Sequence, residues 1–81
     1  MYVIVKCQDK FSKGGRSPKF SKTPKLWTLG HFKSHLKLRK DLFENLYKDC
    51  KIIMIDFDTK DNPTKLEEYS YYEFIQKFLE N

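Results

Sequence analysis

Apolar and polar residues alternate from Tyr2 to Cys7, with Val3, Val5 and Cys7 facing one way and Tyr2, Ile4 and Lys6 the other. That is the period of a strand with one well-buried face. Gln8 to Lys25 then holds only two large apolar residues, Phe11 and Phe20, among cations, glycines and prolines. Gly14-Gly15 can take the positive φ angles of a tight turn, so Phe11 to Phe20 reads as a loop that leaves strand one and returns through a strand near Lys19 to Ser21. Pro24 ends it, and Leu26-Trp27 leads into a helix.

From Leu29 the spacing changes to three and four, which puts Leu29, Phe32 and Leu36 on one helical face with Thr28 as N-cap and Gly30 in the first turn. Lys33, Lys37 and Lys40 line a neighbouring stripe, while His31 and His35 fall on the opposite side. Asp41 and Glu44 have the reciprocal capping pattern ahead of a second helix, Leu42 to Asp49, whose apolar positions are Leu42, Phe43, Leu46, Tyr47 and Cys50. Lys51 to Asp58 is β-branched and apolar on both faces at its start, which predicts a central strand covered on both sides there and wetter at its end. Thr59 to Pro63 is a turn by composition, and Leu66 to Tyr69 adds a short strand. Ser70 with Glu73 then caps a last helix with Tyr71, Phe74, Ile75, Phe78 and Leu79 on its apolar face.

These elements predict one α+β domain over residues 1–81. Its core is a small antiparallel sheet of about three strands, namely strand one, the returning strand and Lys51 to Asp58. Two short helices and a C-terminal helix pack on one face. A chain of 81 residues buries only about 60% of its unfolded surface, so seven Phe, five Tyr and one Trp matter as large core fillers.

Charge divides the chain. Residues 1–40 carry eleven Lys or Arg against Asp9 alone, a surplus of ten, and residues 41–81 carry five Lys against ten acids, a deficit of five, giving the net +5. Such a division favours a cationic docking surface. No run of apolar residues is long enough to span a bilayer and no secretory leader pattern opens the chain, so the expected setting is the cytoplasm, with no membrane partner. Cys7 and Cys50 in such a setting read as reduced, buried thiols.

Several residue groups could carry chemistry. The loop SKGGRSPKFSKTPK pairs cations with glycines that let a phosphate approach the backbone, with Phe11, Phe20 and Trp27 near enough to stack on bases. It lacks the order of a nucleotide-phosphate loop, and the same lysines would also serve a solvated hairpin that resists aggregation. His31 and His35 have the i, i+4 geometry of two-histidine metal sites, yet the cysteines that could complete a tetrahedral set lie 43 residues apart and Phe32 stands where a zinc protease carries its glutamate. Asp56 and Asp58, two apart at a strand end with Lys60 following, faintly match the acidic pair of metal-dependent nucleases, which need a further acid and a longer chain. Neither cysteine has an activating neighbour, and no Ser-His-Asp spacing is present. Tyr69, Tyr71 and Tyr72 read as half-buried helix residues, or, if exposed, as anchors for a protein partner. No catalytic residue, cofactor or metal is therefore expected.

Lys25 to Leu36, KLWTLGHFKSHL, resembles a loose pattern, K-x-W-x-x-G-H-x-K-x-H-L, of small bacteriophage accessory proteins. The layout is similar too, with a hairpin before it and a Y-x-x-C-x-I-type strand and a terminal helix after it. The resemblance brings no catalytic residues; it implies a product that binds and disables a host or defence component. The expected function is thus a non-catalytic inhibitor that docks such a protein through Lys13, Arg16, Lys19, Lys22, Trp27, His31, Lys33, His35 and Lys37. The other expectation is a nucleic-acid-binding module that contacts phosphates with the same basic hairpin and helix. The sequence sets no oligomeric state.

Overall fold

The strand marked by alternation forms as expected and lies mid-sheet as β1 (Tyr2–Cys7). The computed structural model describes residues 1–14 and 19–80 and has a six-stranded antiparallel sheet, twice the expected number of strands. After β1 come β2 (Lys10–Ser12), β3 (Phe20–Ser21), β4 (Trp27–Thr28), α1 (Leu29–Leu38), α2 (Lys40–Tyr47), β5 (Lys51–Phe57), β6 (Pro63–Ser70) and α3 (Tyr71–Phe78). The order across the sheet is β3-β2-β1-β5-β6, and β4 pairs with the opening residues of β1, where β2 does not reach. The additional strands are β2 and β4, two or three residues long and too short for any period to show; the short strand expected at Leu66 to Tyr69 is present as the longer edge strand β6, whose residues are mostly exposed.

The register decides which faces are buried. Val3 pairs with Met54 and Val5 with Ile52, and all four are buried together with Phe32, Leu36, Phe43, Tyr47, Phe74 and Ile75 from the helices. Burying a Phe or Leu side chain stabilises by about 1.5–3 kcal/mol, so this one layer of helices on one face supplies most of the stability. The other face of β5, with Ile53, Ile55 and Phe57, contributes nothing to that cluster. The expectation that this strand is covered on both sides at its start is met only in part: on the second face Lys51 is exposed and Ile53 half-buried, and Ile55 further along is buried.

Helix ends follow local chemistry. The Thr28 hydroxyl accepts from the His31 N–H at 3.3 Å, as expected for an N-cap. In α3 the capping box forms, with Glu73 N–H donating to Ser70 Oγ at 3.2 Å and Ser70 N–H donating to Glu73 Oε1 at 3.0 Å. The box expected from Asp41 and Glu44 does not form, because α2 already begins at Lys40 after a break at Arg39, which has no side-chain cap bond. Asp41 instead sits in the first turn, where a carboxylate favours the helix dipole.

Two further corrections concern turns and thiols. The tight turn after β1 is Gln8-Asp9, with Gln8 at φ 60°, and the first glycine of the expected turn, Gly14, lies beyond β2 at φ 77°. Gly15 lies outside the described residues. Cys7 and Cys50 are joined in a disulfide, not held as free thiols, with Cα atoms 4.5 Å apart. The register explains the meeting: Lys6 is opposite Lys51, so one step further brings Cys7 opposite Cys50. No helix among the described residues is long and apolar enough to cross a membrane.

Candidate nucleic-acid interface

The basic segment folds into a hairpin that is tied to the core at its base. Ser12 is fully buried and its hydroxyl bonds the Tyr47 phenol at 2.5 Å, while Gly14 N–H donates to Ser12 Oγ at 3.3 Å. Burial pushes the Tyr47 phenol above its ordinary range, and the Ser12 bond partly offsets this. Lys13 N–H donates to the Lys19 carbonyl at 2.8 Å and closes the hairpin, and Lys13 Nζ donates to Thr23 Oγ1 at 2.9 Å. Lys13 is thereby half-buried, whereas Lys19 and Lys22 are exposed. Arg16 lies outside the described residues.

Trp27 is the floor of the site, not a stacking platform. Its side chain is only 2% exposed, paired through β4 with Val3. A Cβ at Gly14 would lie 2.4 Å from Trp27 Cη2, so only glycine lets the hairpin backbone cross the indole edge. Lys25 Nζ sits over the indole, 4.0 Å from the ring centroid. His31 stacks against the same indole at 5.7 Å and His35 meets it edge-on at 5.8 Å. The two imidazoles are 4.4 Å apart. The Trp27 Nε1–H has no hydrogen-bond partner among the described residues.

Electrostatics around the imidazoles are uniformly positive. Partial burial holds the His35 pKa below the ordinary histidine value, and His31, Arg39 and Lys25 push it the same way. No Lys between residues 10 and 37 that the structure describes has a carboxylate within ion-pair distance; the ion pairs among described residues link Met1 with Asp56, Lys51 with Glu68 and Lys65 with Glu67. The acids of the closing half therefore leave this face uncancelled.

The expected contact residues are sorted by helix geometry. Trp27, His31 and His35 come together, the hairpin reaches the indole through Gly14 beside Lys13, and Lys19 and Lys22 are exposed on that same hairpin. Lys33 and Lys37 lie on the other flank of α1, where Lys37 and Lys40 stand beside Ile75, Leu79 and Glu80. Lys25 is the residue that sequence reasoning left out. Its signal was the spacing of two from Trp27, which in extended chain puts both side chains on one face.

The minor chemistries are also placed. Cys7 and Cys50 are bonded to each other and cannot complete a metal set with the histidines. The Asp58 carboxylate accepts the N–H groups of Lys60 at 2.8 Å and Asn62 at 2.9 Å, and these bonds hold its pKa below the ordinary value. Tyr71 is buried in the core, so it is no exposed anchor, whereas Tyr72 is half-exposed and donates to Glu44 at 3.2 Å. Comparison with family models, curated proteins and solved structures finds no match to this chain.

Proposed function

We propose that this protein is a non-catalytic module that binds the phosphate backbone of a nucleic acid on the face made by the β2–β3 hairpin and the histidine edge of α1. The observation that carries this reading is that Lys25, His31 and His35 cluster on Trp27 beside the hairpin that carries Lys13, Lys19 and Lys22, with no carboxylate among the described residues in ion-pair range of them. Cations unpaired in the free protein release counterions from a phosphate chain when they bind it. Because Trp27 is buried, no large aromatic face is offered to bases from the site's centre, and the reading is one of backbone contact without base readout. Asp58, spent on its turn, supports a non-catalytic role.

Fluorescence anisotropy with a labelled single strand and a labelled duplex at ~50 mM salt tests this directly. Saturable binding to either, with little sequence preference, is expected; no binding at that salt removes the reading.

A second reading, a phage-type accessory protein that blocks a host or defence protein, draws on one observation. Phe20, 39% exposed between Lys19 and Lys22, could anchor an acidic protein surface. Capture of a stoichiometric partner from a nuclease-treated lysate, lost in Phe20→Ala, would favour it. Either partner belongs to the cytoplasm, where disulfides are uncommon, so the Cys7–Cys50 bond would have to persist in reducing surroundings.

A further inference from the structure

We propose that the Cys7–Cys50 disulfide is a site of thiol–disulfide exchange, opened at Cys7 by a small anionic thiol, and that its opening releases the basic hairpin. The bond lies at the edge of the helix-covered layer, with Cys7 at the end of β1 and Cys50 between α2 and β5. Cys50 is 7% exposed, whereas Cys7 is half-buried. Both cysteines border a surface hollow of about 300 Å³, whose other walls include Lys10, Phe20 and Asp49. Exchange depends on access to sulfur, and a disulfide that walls a hollow is within a thiol's reach.

Access also selects the sulfur, and the more accessible half of the bond is Cys7. A thiolate attacking Cys7 Sγ forms a mixed disulfide there, and the electron pair of the broken bond leaves on Cys50 as a thiolate. A second thiolate then attacks the incoming sulfur, departs as the symmetric disulfide of the small thiol, and frees Cys7 as a thiolate. Two thiols are oxidised and the protein bond takes up their two electrons. Lys10 stands directly across from Cys7 in the β1–β2 ladder, so the two side chains share a face. Its ammonium favours a carboxylate-bearing thiol, such as a glutamyl tripeptide, over a neutral one. Asp49 in the same hollow opposes this, which limits the preference to a few-fold.

The bond holds the base of the hairpin. Cys50 N–H donates to the Tyr47 carbonyl at 2.9 Å, and the Tyr47 phenol bonds the buried Ser12 hydroxyl, which also accepts from Gly14 N–H. On the other side Cys7 pairs with Lys10 and Lys6 with Phe11, the rungs that join β2 to β1. The disulfide thus ties together the two supports from which the hairpin hangs. Opening it unlinks them, and a tripeptide carried on Cys7 fills the hollow against Phe20 of β3. β5 by contrast keeps its ladder with β6 from Lys51 to Phe57. The hairpin carries Lys13, Lys19 and Lys22, so opening the bond weakens phosphate binding, a last step that rests on the proposed function.

The test treats the oxidised full chain with ~1 to ~10 mM glutathione, quenches with acid and maps the adduct by peptide mass spectrometry. A rate that rises in proportion to thiol, with the mixed disulfide on Cys7, is expected. With oxidised glutathione, Cys50→Ala should accumulate the adduct at Cys7, while Cys7→Ala leaves Cys50 unmodified. Lys10→Glu should slow glutathione several-fold and 2-mercaptoethanol less. Hydrogen exchange should show residues 10–14 and 19–22 losing protection on reduction while Lys51–Phe57 keeps it. Nucleic-acid affinity should fall at least ~5-fold in the same reduced sample. Adduct on Cys50, equal slowing of both thiols, unchanged hairpin protection, or a loss of protection uniform along the chain would overturn the proposal. Selective hairpin exposure with no nucleic-acid binding in either state supports the exchange site and counts against the proposed function instead.

Discussion

Reduction of the Cys7–Cys50 bond should destabilise this protein more than any single surface substitution. The bond closes a span of 43 residues that runs from the end of β1, through the hairpin and both α1 and α2, to the start of β5. In the chain-entropy description, freeing a loop of that length returns about 4 kcal/mol of conformational entropy to the unfolded state at 25 °C. A domain of this size has roughly 4–12 kcal/mol of stability in all, so the loss is a third or more of the whole. Each kilocalorie moves the melting temperature of a small domain by about 4–8 °C, which predicts a drop on the order of 20 °C. The assay is urea unfolding followed by tryptophan fluorescence, with and without a phosphine reductant, alongside Cys7→Ala/Cys50→Ala. The midpoint should fall under reductant in the wild type and be insensitive to reductant in the double variant. Equal midpoints for oxidised and reduced wild type, with thiol titration proving reduction complete, would mean that the bond does not constrain the unfolded chain.

Two more outcomes follow from the site. Gly14→Ala drives a methyl group into Trp27 at a positive φ and should cost about 1–3 kcal/mol, read as a lower urea midpoint and an altered indole emission; an unchanged protein would mean the hairpin does not cross the indole. The His35 pKa is held down in the folded state, so the unfolded chain binds more protons near the ordinary histidine value and stability falls as the pH drops through that range. Bound phosphates reverse the local field and favour the charged form of the His35 imidazole, so polyanion affinity rises over the same range while stability falls. His31→Gln/His35→Gln should remove both slopes, and slopes that survive it place the titration elsewhere.

The parts of the fold that could be read in advance are those that carry their own period. The alternation of Tyr2–Cys7, the apolar run at Lys51–Phe57 and the Ser70-x-x-Glu73 cap each reflect local geometry. β2 and β4 are too short to show one, and they exist because β1 offers them a partner edge, while β3, expected near Lys19 to Ser21, pairs with β2. β6 is legible only over Leu66 to Tyr69; it runs from Pro63 to Ser70 and shows little alternation because it is paired on one side only and most of its residues are exposed. The disulfide was hidden because 43 residues of sequence say nothing of register; the pairing of Lys6 with Lys51 is what brings the sulfurs together. The same applies to the site. The i, i+4 spacing put His31 beside His35 and set Lys33 and Lys37 apart from them, but which flank of α1 would meet the hairpin depended on where Trp27 is buried. Burial of that indole also removed the base-stacking role its type suggests.

On the proposed function, the hairpin and the histidine edge, and not the Lys33–Lys37 flank, meet the phosphates. The most direct measurement is the dependence of nucleic-acid affinity on salt at neutral pH. Four lysines contacting phosphates predict a slope of log K against log salt of about −3 to −3.5. Lys22→Gln/Lys25→Gln should reduce its magnitude by about 1.5, leaving roughly half, while Lys33→Gln/Lys37→Gln leaves it unchanged. Equal reductions from both pairs, or a slope indifferent to the first pair, would contradict the account.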